Sequence, residues 1–220
     1  MVILVNGNEV RVQELRTWGL GHSRMELLSG AEGEPLPAFD LYIDLDFDEE
    51  PEAGIRRLSR VHGKPCILAS VSHPVGKVPA GDNWLIGLNA WPGMLNRKIA
   101  EISLADPATR KDLGSLFSAM DREFILVQDQ LGMVTPRILS RIINEAYFAA
   151  ADGTAVPKDI DTAMKLGAHY PNGPFLWSER IGPGRISGLL NKLHASTGDD
   201  RYLPAPLLEQ KAERLGNPAP

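Results

Sequence analysis

The chain reads as α/β followed by all-α: a mostly parallel sheet in the first half, helices alone in the second. Two observations carry this. Up to about residue 127, short apolar runs bounded by turn signals alternate with helical patterns, as βαβ units require. From Thr135 onward the strand pattern stops and apolar residues recur at helical spacing. The expected division is 1–130 for the α/β domain and 131–220 for the helical one.

In order, the expected strands are "VILV" (2–5), "DLYIDL" (40–45), "PCILASV" (65–71), "WLIGL" (84–88) and "FILVQ" (124–128). "EAGIRRLSRVHG" and "PATRKDLGSLFSAMD" supply helices between them. In the second half, 136–153 forms a helix that stops at Gly153, and 156–167 forms another with proline near its start and glycine at its end. A third runs over 182–198, and the tail carries one short helix flanked by prolines, frayed at its end.

Composition narrows the function classes. With 220 residues, 43% apolar and 23% charged, the chain has the make-up of a soluble globular protein. A net charge of -5 offers no basic footprint, which argues against nucleic acid or an anionic membrane as partner. Cys66 is the single cysteine, so a disulfide framework and a cysteine zinc site are both excluded; it is expected as a buried strand thiol. With no signal-peptide pattern and no apolar run of membrane length, the expected location is the cytoplasm. The acidic stretch Asp40–Glu52 reads as a loop or helix start in water.

The helical half resembles the C-terminal domain of the 3-hydroxyacyl-CoA dehydrogenase family. The residues that carry this are "RIINEAYFAAADGTAVPKDIDTAMKLGAHYPNGPF", Arg141 to Phe175, with "RYLPAPLL" (201–208) similar to the family's continuation. The resemblance implies a homodimer formed through this domain, which also helps to enclose an acyl-CoA ligand. Physically, Asp159 and Asp161 put carboxylates near a helix N-terminus, and "YPNGPF" reads as a rigid turn aiming Phe175 and Trp177 inward.

The first half, by the same resemblance, is a truncated Rossmann-like domain. Family members open with a strand, a phosphate-cradling G-x-G-x-x-G and a helix. Here Gly7 matches the first glycine, but Glu9 stands at the second and Val12 at the third. Bulk and negative charge at the second position oppose a pyrophosphate that must approach the backbone closely. No NAD is therefore expected, although NAD is the family's cofactor. Only Glu14 to Phe39 separates the glycine motif from the next matching strand, too little for the usual second strand and its helices; the ribose-binding acid is expected at Glu26 or nowhere.

The resemblance also locates the chemistry. The family uses a histidine general base held by a glutamate, with a serine and an asparagine near the substrate oxygen. In "GLNAWPG" Asn89 falls on the histidine, and in "KIAEIS" Glu101 falls on the glutamate, so a remnant hydrogen bond between Asn89 and Glu101 is expected. "LASVSHPV" keeps Ser70 but places His73, or Ser72 with a shift, on the catalytic serine. Pro136 stands on the asparagine, with Thr135 beside it and Arg137 kept. The candidate catalytic residues are thus Glu101, His73 and Ser72, and the candidate substrate-binding residues are Ser70, Asn89, Thr135 and Arg137. Three readings remain open: a degenerate member without NAD-dependent catalysis that keeps acyl-CoA or partner binding; an active 3-hydroxyacyl-CoA or 3-hydroxybutyryl-CoA dehydrogenase with an atypical site; and a non-redox enzyme using His73 and Glu101 as acid and base.

Overall fold

In the computed structural model, which describes residues 1–17, 20–28 and 35–215, the chain forms two compact units that meet in sequence between Met133 and Val134. The first holds strands β1 (Val2–Asn6), β2 (Arg24–Leu27), β3 (Leu41–Asp44), β4 (Pro65–Ala69), β5 (Trp84–Leu88), β6 (Ile99–Leu104) and β7 (Glu123–Leu126). With them come helices α1 (Glu9–Thr17), α2 (Pro51–Leu58) and α3 (Arg110–Ala119).

The strands make one sheet in the order β2-β1-β3-β4-β5-β6-β7. Every neighbouring pair is parallel except β5 with β6, which run antiparallel with Leu88 opposite Ile102. Successive side chains alternate between two apolar layers, as strand geometry dictates. Ile3, Val5, Ile43, Ile67 and Ile86 face Val12 and Leu15 of α1 and Leu113 and Phe117 of α3. Leu4, Tyr42, Cys66 and Leu68 face the other way, onto Phe47 and Leu58. Helices covering both faces explain why the central strands read as unbroken apolar runs. Cys66 is the buried strand thiol expected; burial pushes it up to about 12.

Two expectations are corrected here. The stretch Glu14 to Phe39 does contain a second strand: β2 pairs in parallel with β1, setting Val2 opposite Arg24 and Val5 opposite Leu27. The unit β1–α1–β2 is complete, and Glu26 lies on its second strand, ion-paired with Arg24. The acidic stretch Asp40–Glu52 is not simply bathed in water. Asp44 is fully buried and receives Arg57 Nε at 2.9 Å and Tyr42 OH at 3.0 Å.

The second unit is helical throughout: α4 (Thr135–Ala151), α5 (Pro157–Gly167), α6 (Pro174–Ile181), α7 (Pro183–Thr197) and α8 (Pro206–Leu215). α4 ends just before Gly153, which takes the left-handed φ of 72°. The expected turn occupies residues 170–173 and leads at Pro174 into α6, a helix the sequence reading did not expect, which buries Phe175 and Trp177. Asp161, expected to serve the start of its own helix, instead caps α6, accepting from Phe175 N at 2.8 Å and Leu176 N at 3.1 Å. The end of the tail, 216–220, lies outside the described residues.

Candidate functional site

The chain leaves β1 for β2 on one side and returns past β1 to β3 on the other. The carboxyl ends of β1 and β3 are thus the switch point at which open α/β sheets bind ligands. In this chain that point is occupied by its own side chains. Asn6 Nδ2 donates to Asp44 Oδ1 at 3.0 Å, tying the two strand ends together. Asn8 caps α1, its Oδ1 accepting from Arg11 N at 3.1 Å, so one of the helix's orphan N–H groups is already used. Gly7 is pressed against the next strand's exit: a Cβ there would lie 3.0 Å from Leu45 Cβ. Glu9 opens the helix with a negative charge.

Arg11 completes the closure. It is 4% exposed, pairs with Glu49 Oε1 at 3.2 Å, and donates through Nη2 to the carbonyl of Ala90 beyond β5. A pyrophosphate held at this helix end needs open backbone N–H groups and no competing anion. The side chain of Asn8, the carboxylate of Glu9 and the pairing of buried Arg11 with half-buried Glu49 do not fit a dinucleotide. Burial also raises the pKa of Asp46, whose Oδ1 receives Asn8 Nδ2 at 3.5 Å.

Further along the same edge, the loops after β4 and β5 are fastened by carboxylates. Glu14 Oε1 accepts from Gly93 N at 2.8 Å and Leu95 N at 3.2 Å, and burial raises its pKa. Asp129 accepts from Val75 N, from Gly76 N at 2.7 Å and from Ser103 Oγ at 2.8 Å. Asp48, in the loop after β3, accepts from Val71 N at 2.6 Å and Ser72 N at 2.9 Å and faces His73 Nδ1 at 3.1 Å.

The candidate residues of the first unit gather at these strand ends. Ser70, just past β4, is buried; its N–H bonds Leu88 O at 3.1 Å and its Oγ donates to the His73 carbonyl at 2.8 Å. Asn89, just past β5, is buried, and its Nδ2 donates to Glu101 Oε2 on β6 at 3.0 Å, the hydrogen bond expected from the sequence. Ser72 contributes its backbone N–H to Asp48. Thr135, Pro136 and Arg137 open α4 in the second unit, where Arg137 Nη1 donates to Tyr202 OH at 3.1 Å. Asp48 and Arg11 escaped the sequence reading. Asp48 was hidden in the acidic stretch, and a lone arginine on an amphipathic helix carries no signal of burial.

The second unit has a surface of its own. A cavity of about 840 Å³ lies beside α4 and the segment around Tyr202, with Ile138, Phe148, Ile160 and Met164 among its lining. The guanidinium groups of Arg137, Arg141 and Arg201 stand within 5.9 Å of the Tyr202 ring. α5 has no buried residue, and Val156 and Leu166 beside or within it are 61% and 75% exposed.

Comparison with known proteins gives a consistent family. The model of the 3-hydroxyacyl-CoA dehydrogenase C-terminal domain matches residues 132–218. A 3-hydroxyadipyl-CoA dehydrogenase of Escherichia coli is 42% identical over 107 residues, covering 49% of this chain and 22% of that protein. A probable 3-hydroxybutyryl-CoA dehydrogenase of Bacillus subtilis is 33% identical over 171 residues, covering 73% of this chain and 60% of that one. The chain therefore spans less than two thirds of the length of these relatives. The crystal structure of (S)-3-hydroxybutyryl-CoA dehydrogenase from Ralstonia eutropha matches with a TM-score of 0.72 over 97% of this chain and 93% of that one. At 19% identity that likeness is one of fold.

Proposed function

The chain belongs to the 3-hydroxyacyl-CoA dehydrogenase family, and on that premise we propose that it is a cytoplasmic, homodimeric member without NAD-dependent hydride transfer that keeps acyl-CoA binding within fatty-acid metabolism. The observation that carries this reading is the buried Asn89–Glu101 pair. A general base must take a proton near neutral pH, which imidazole does and an amide does not. The glutamate that would orient the base is held instead by a carboxamide. The residues at the β1–α1 turn support the same reading: Asn8 takes one of the N–H groups a pyrophosphate would use, and Glu9 puts a negative charge at the approach.

Dimerisation is supported by α5, a helix with no fully buried side chain, only Ile160, Asp161 and Met164 being half-buried, and by the apolar cavity beside α4. Single exposed apolar residues are ordinary; a whole helix without a buried side chain asks for a partner surface. No described helix is long and apolar enough to cross a membrane.

A second reading, an active 3-hydroxyacyl-CoA or 3-hydroxybutyryl-CoA dehydrogenase with Ser72, His73 and Glu101 as its catalytic groups, draws on the carboxylate that holds His73. One experiment separates the two. Purified protein is given NADH and acetoacetyl-CoA, and its thermal midpoint is recorded with each ligand alone. The first reading expects a shift with acyl-CoA, none with NADH, and no NADH oxidation. NADH oxidation that disappears in His73→Ala establishes the second.

A further inference from the structure

His73 and Asp48 form a hydrogen-bonded unit separate from the Asn89–Glu101 pair. They come from two different loops, after β4 and after β3, at the carboxyl edge where α/β sheets place their chemistry. Asp48 is 9% exposed at its side chain and takes three donors, two of them backbone N–H groups of the loop that carries the histidine. Ser70 Oγ fixes the carbonyl of His73 from the other side, and Phe47 meets the imidazole edge-on at 6.3 Å. The ring is nonetheless 29% exposed, within reach of a ligand. A carboxylate at Nδ1 selects the tautomer with the proton on Nδ1 and makes Nε2 the basic nitrogen. This is the nucleophile-free half of a familiar arrangement, a base positioned by an orienting carboxylate.

We propose that His73, positioned by Asp48, is the acid–base residue of a redox-neutral proton transfer at the α-carbon of a 3-oxoacyl thioester. The proposal rests on the acyl-CoA reading above and adds a reaction to it. Nε2 takes a proton from C2, the C–H electron pair moves toward the flanking carbonyl, and an enolate forms. The imidazolium then returns a proton to C2, so no oxidant or reductant is consumed. A 3-oxoacyl thioester suits the base because C2 lies between two carbonyl groups, which brings its acidity toward that of an imidazolium, where proton transfer is most efficient. Asp48 acts as the positioning residue.

The test is deuterium uptake at C2 of acetoacetyl-CoA in D₂O, followed by NMR against a protein-free control, with calorimetric binding of acetoacetyl-CoA measured in parallel. Full-chain protein is expected to raise uptake at least about tenfold over the control. Uptake should fall to near the control in His73→Ala, losing most of that enhancement, while binding persists, and added imidazole should restore it. His73→Gln serves as a second variant should the alanine form fail to fold. In Asp48→Asn the ¹⁵N shifts of the His73 ring should report a change of tautomer together with slower uptake. Binding without uptake above the control, or uptake unchanged in His73→Ala and His73→Gln, overturns the proposal. Absence of binding overturns the acyl-CoA reading itself, and this inference with it.

Discussion

Asn89 and Glu101 face each other across the β5–β6 pairing, buried, with the amide donating to the carboxylate at 3.0 Å. The same residues are joined through the backbone, Asn89 N to Glu101 O at 3.0 Å, so the side-chain contact is built into the sheet register. Removing a donor from a buried carboxylate costs about 1–3 kcal/mol, and Asn89→Ala should lower stability by that amount in urea unfolding. Asn89→His restores the imidazole–carboxylate pairing without touching the β1–α1 turn. It should therefore still fail to oxidise NADH with acetoacetyl-CoA. Turnover in this single variant would show that loss of the base alone silences the chain.

Arg11 and Glu49 make the second testable pair. The guanidinium is nearly buried and bridges α1 to Glu49 and to the Ala90 carbonyl. Arg11→Ala removes the donor to the Ala90 carbonyl and leaves the half-buried Glu49, 21% exposed at its side chain, without this partner, so it should cost about 1–3 kcal/mol. Arg11→Ala with Glu49→Gln should cost less than the sum of the singles, with a coupling energy on the order of 0.5–3 kcal/mol from denaturation of the four proteins in the cycle. Strictly additive losses would place the two side chains in separate environments.

How much of this was legible depended on where each residue's partners lie in the sequence. β3 and β4 were readable because both faces are buried and the apolar run is unbroken. β2, "RMEL", was not: it is a four-residue edge strand with exposed ends, defined by its pairing with β1. β6 was not legible either: the charged Glu101 and polar Ser103 interrupt its apolar run, although both are buried. The place of Asn89 was legible through the family resemblance, which fixed the position of the missing histidine. The Asp48–His73 contact spans 25 residues between two loops, a separation that no local pattern encodes. Asp161 shows the same limit: its motif was recognised, but it caps a helix other than its own.

Stability should depend on pH through Glu14 and Asp46, whose pKa values are both raised chiefly by burial. In the folded chain each carboxyl holds its proton to a higher pH than in the unfolded chain. Between the two pKa values the folded state binds more protons, so stability falls as pH rises, and the loss is complete above the folded pKa. Glu14→Gln keeps an oxygen acceptor for Gly93 and Leu95 but cannot ionise. Its stability relative to the parent should increase as pH rises through the carboxylate range and then level off; Asp46→Asn should behave alike. Thermal midpoints of parent and variants across acid to neutral pH measure this, and a difference that shrinks with rising pH would reverse the sign argued here.

Asp161 and Gly173 act as one device at the start of α6. The carboxylate accepts from the N–H groups of Phe175 and Leu176, so it does from α5 what a capping side chain does within its own helix. It fits because position 173 lacks a side chain: a Cβ there would come 2.2 Å from Asp161 Cγ. The cap holds the turn that buries Phe175 against Tyr147, their rings 4.8 Å apart, with Trp177 also buried. Asp161→Ala should cost about 0.5–2 kcal/mol by loss of the cap. Gly173→Ala should cost a similar amount by pushing the carboxylate off the same N–H groups. Since both remove one interaction, the double variant should be little worse than the weaker single. Full additivity in urea unfolding would mean that Gly173 serves the backbone turn and not the cap.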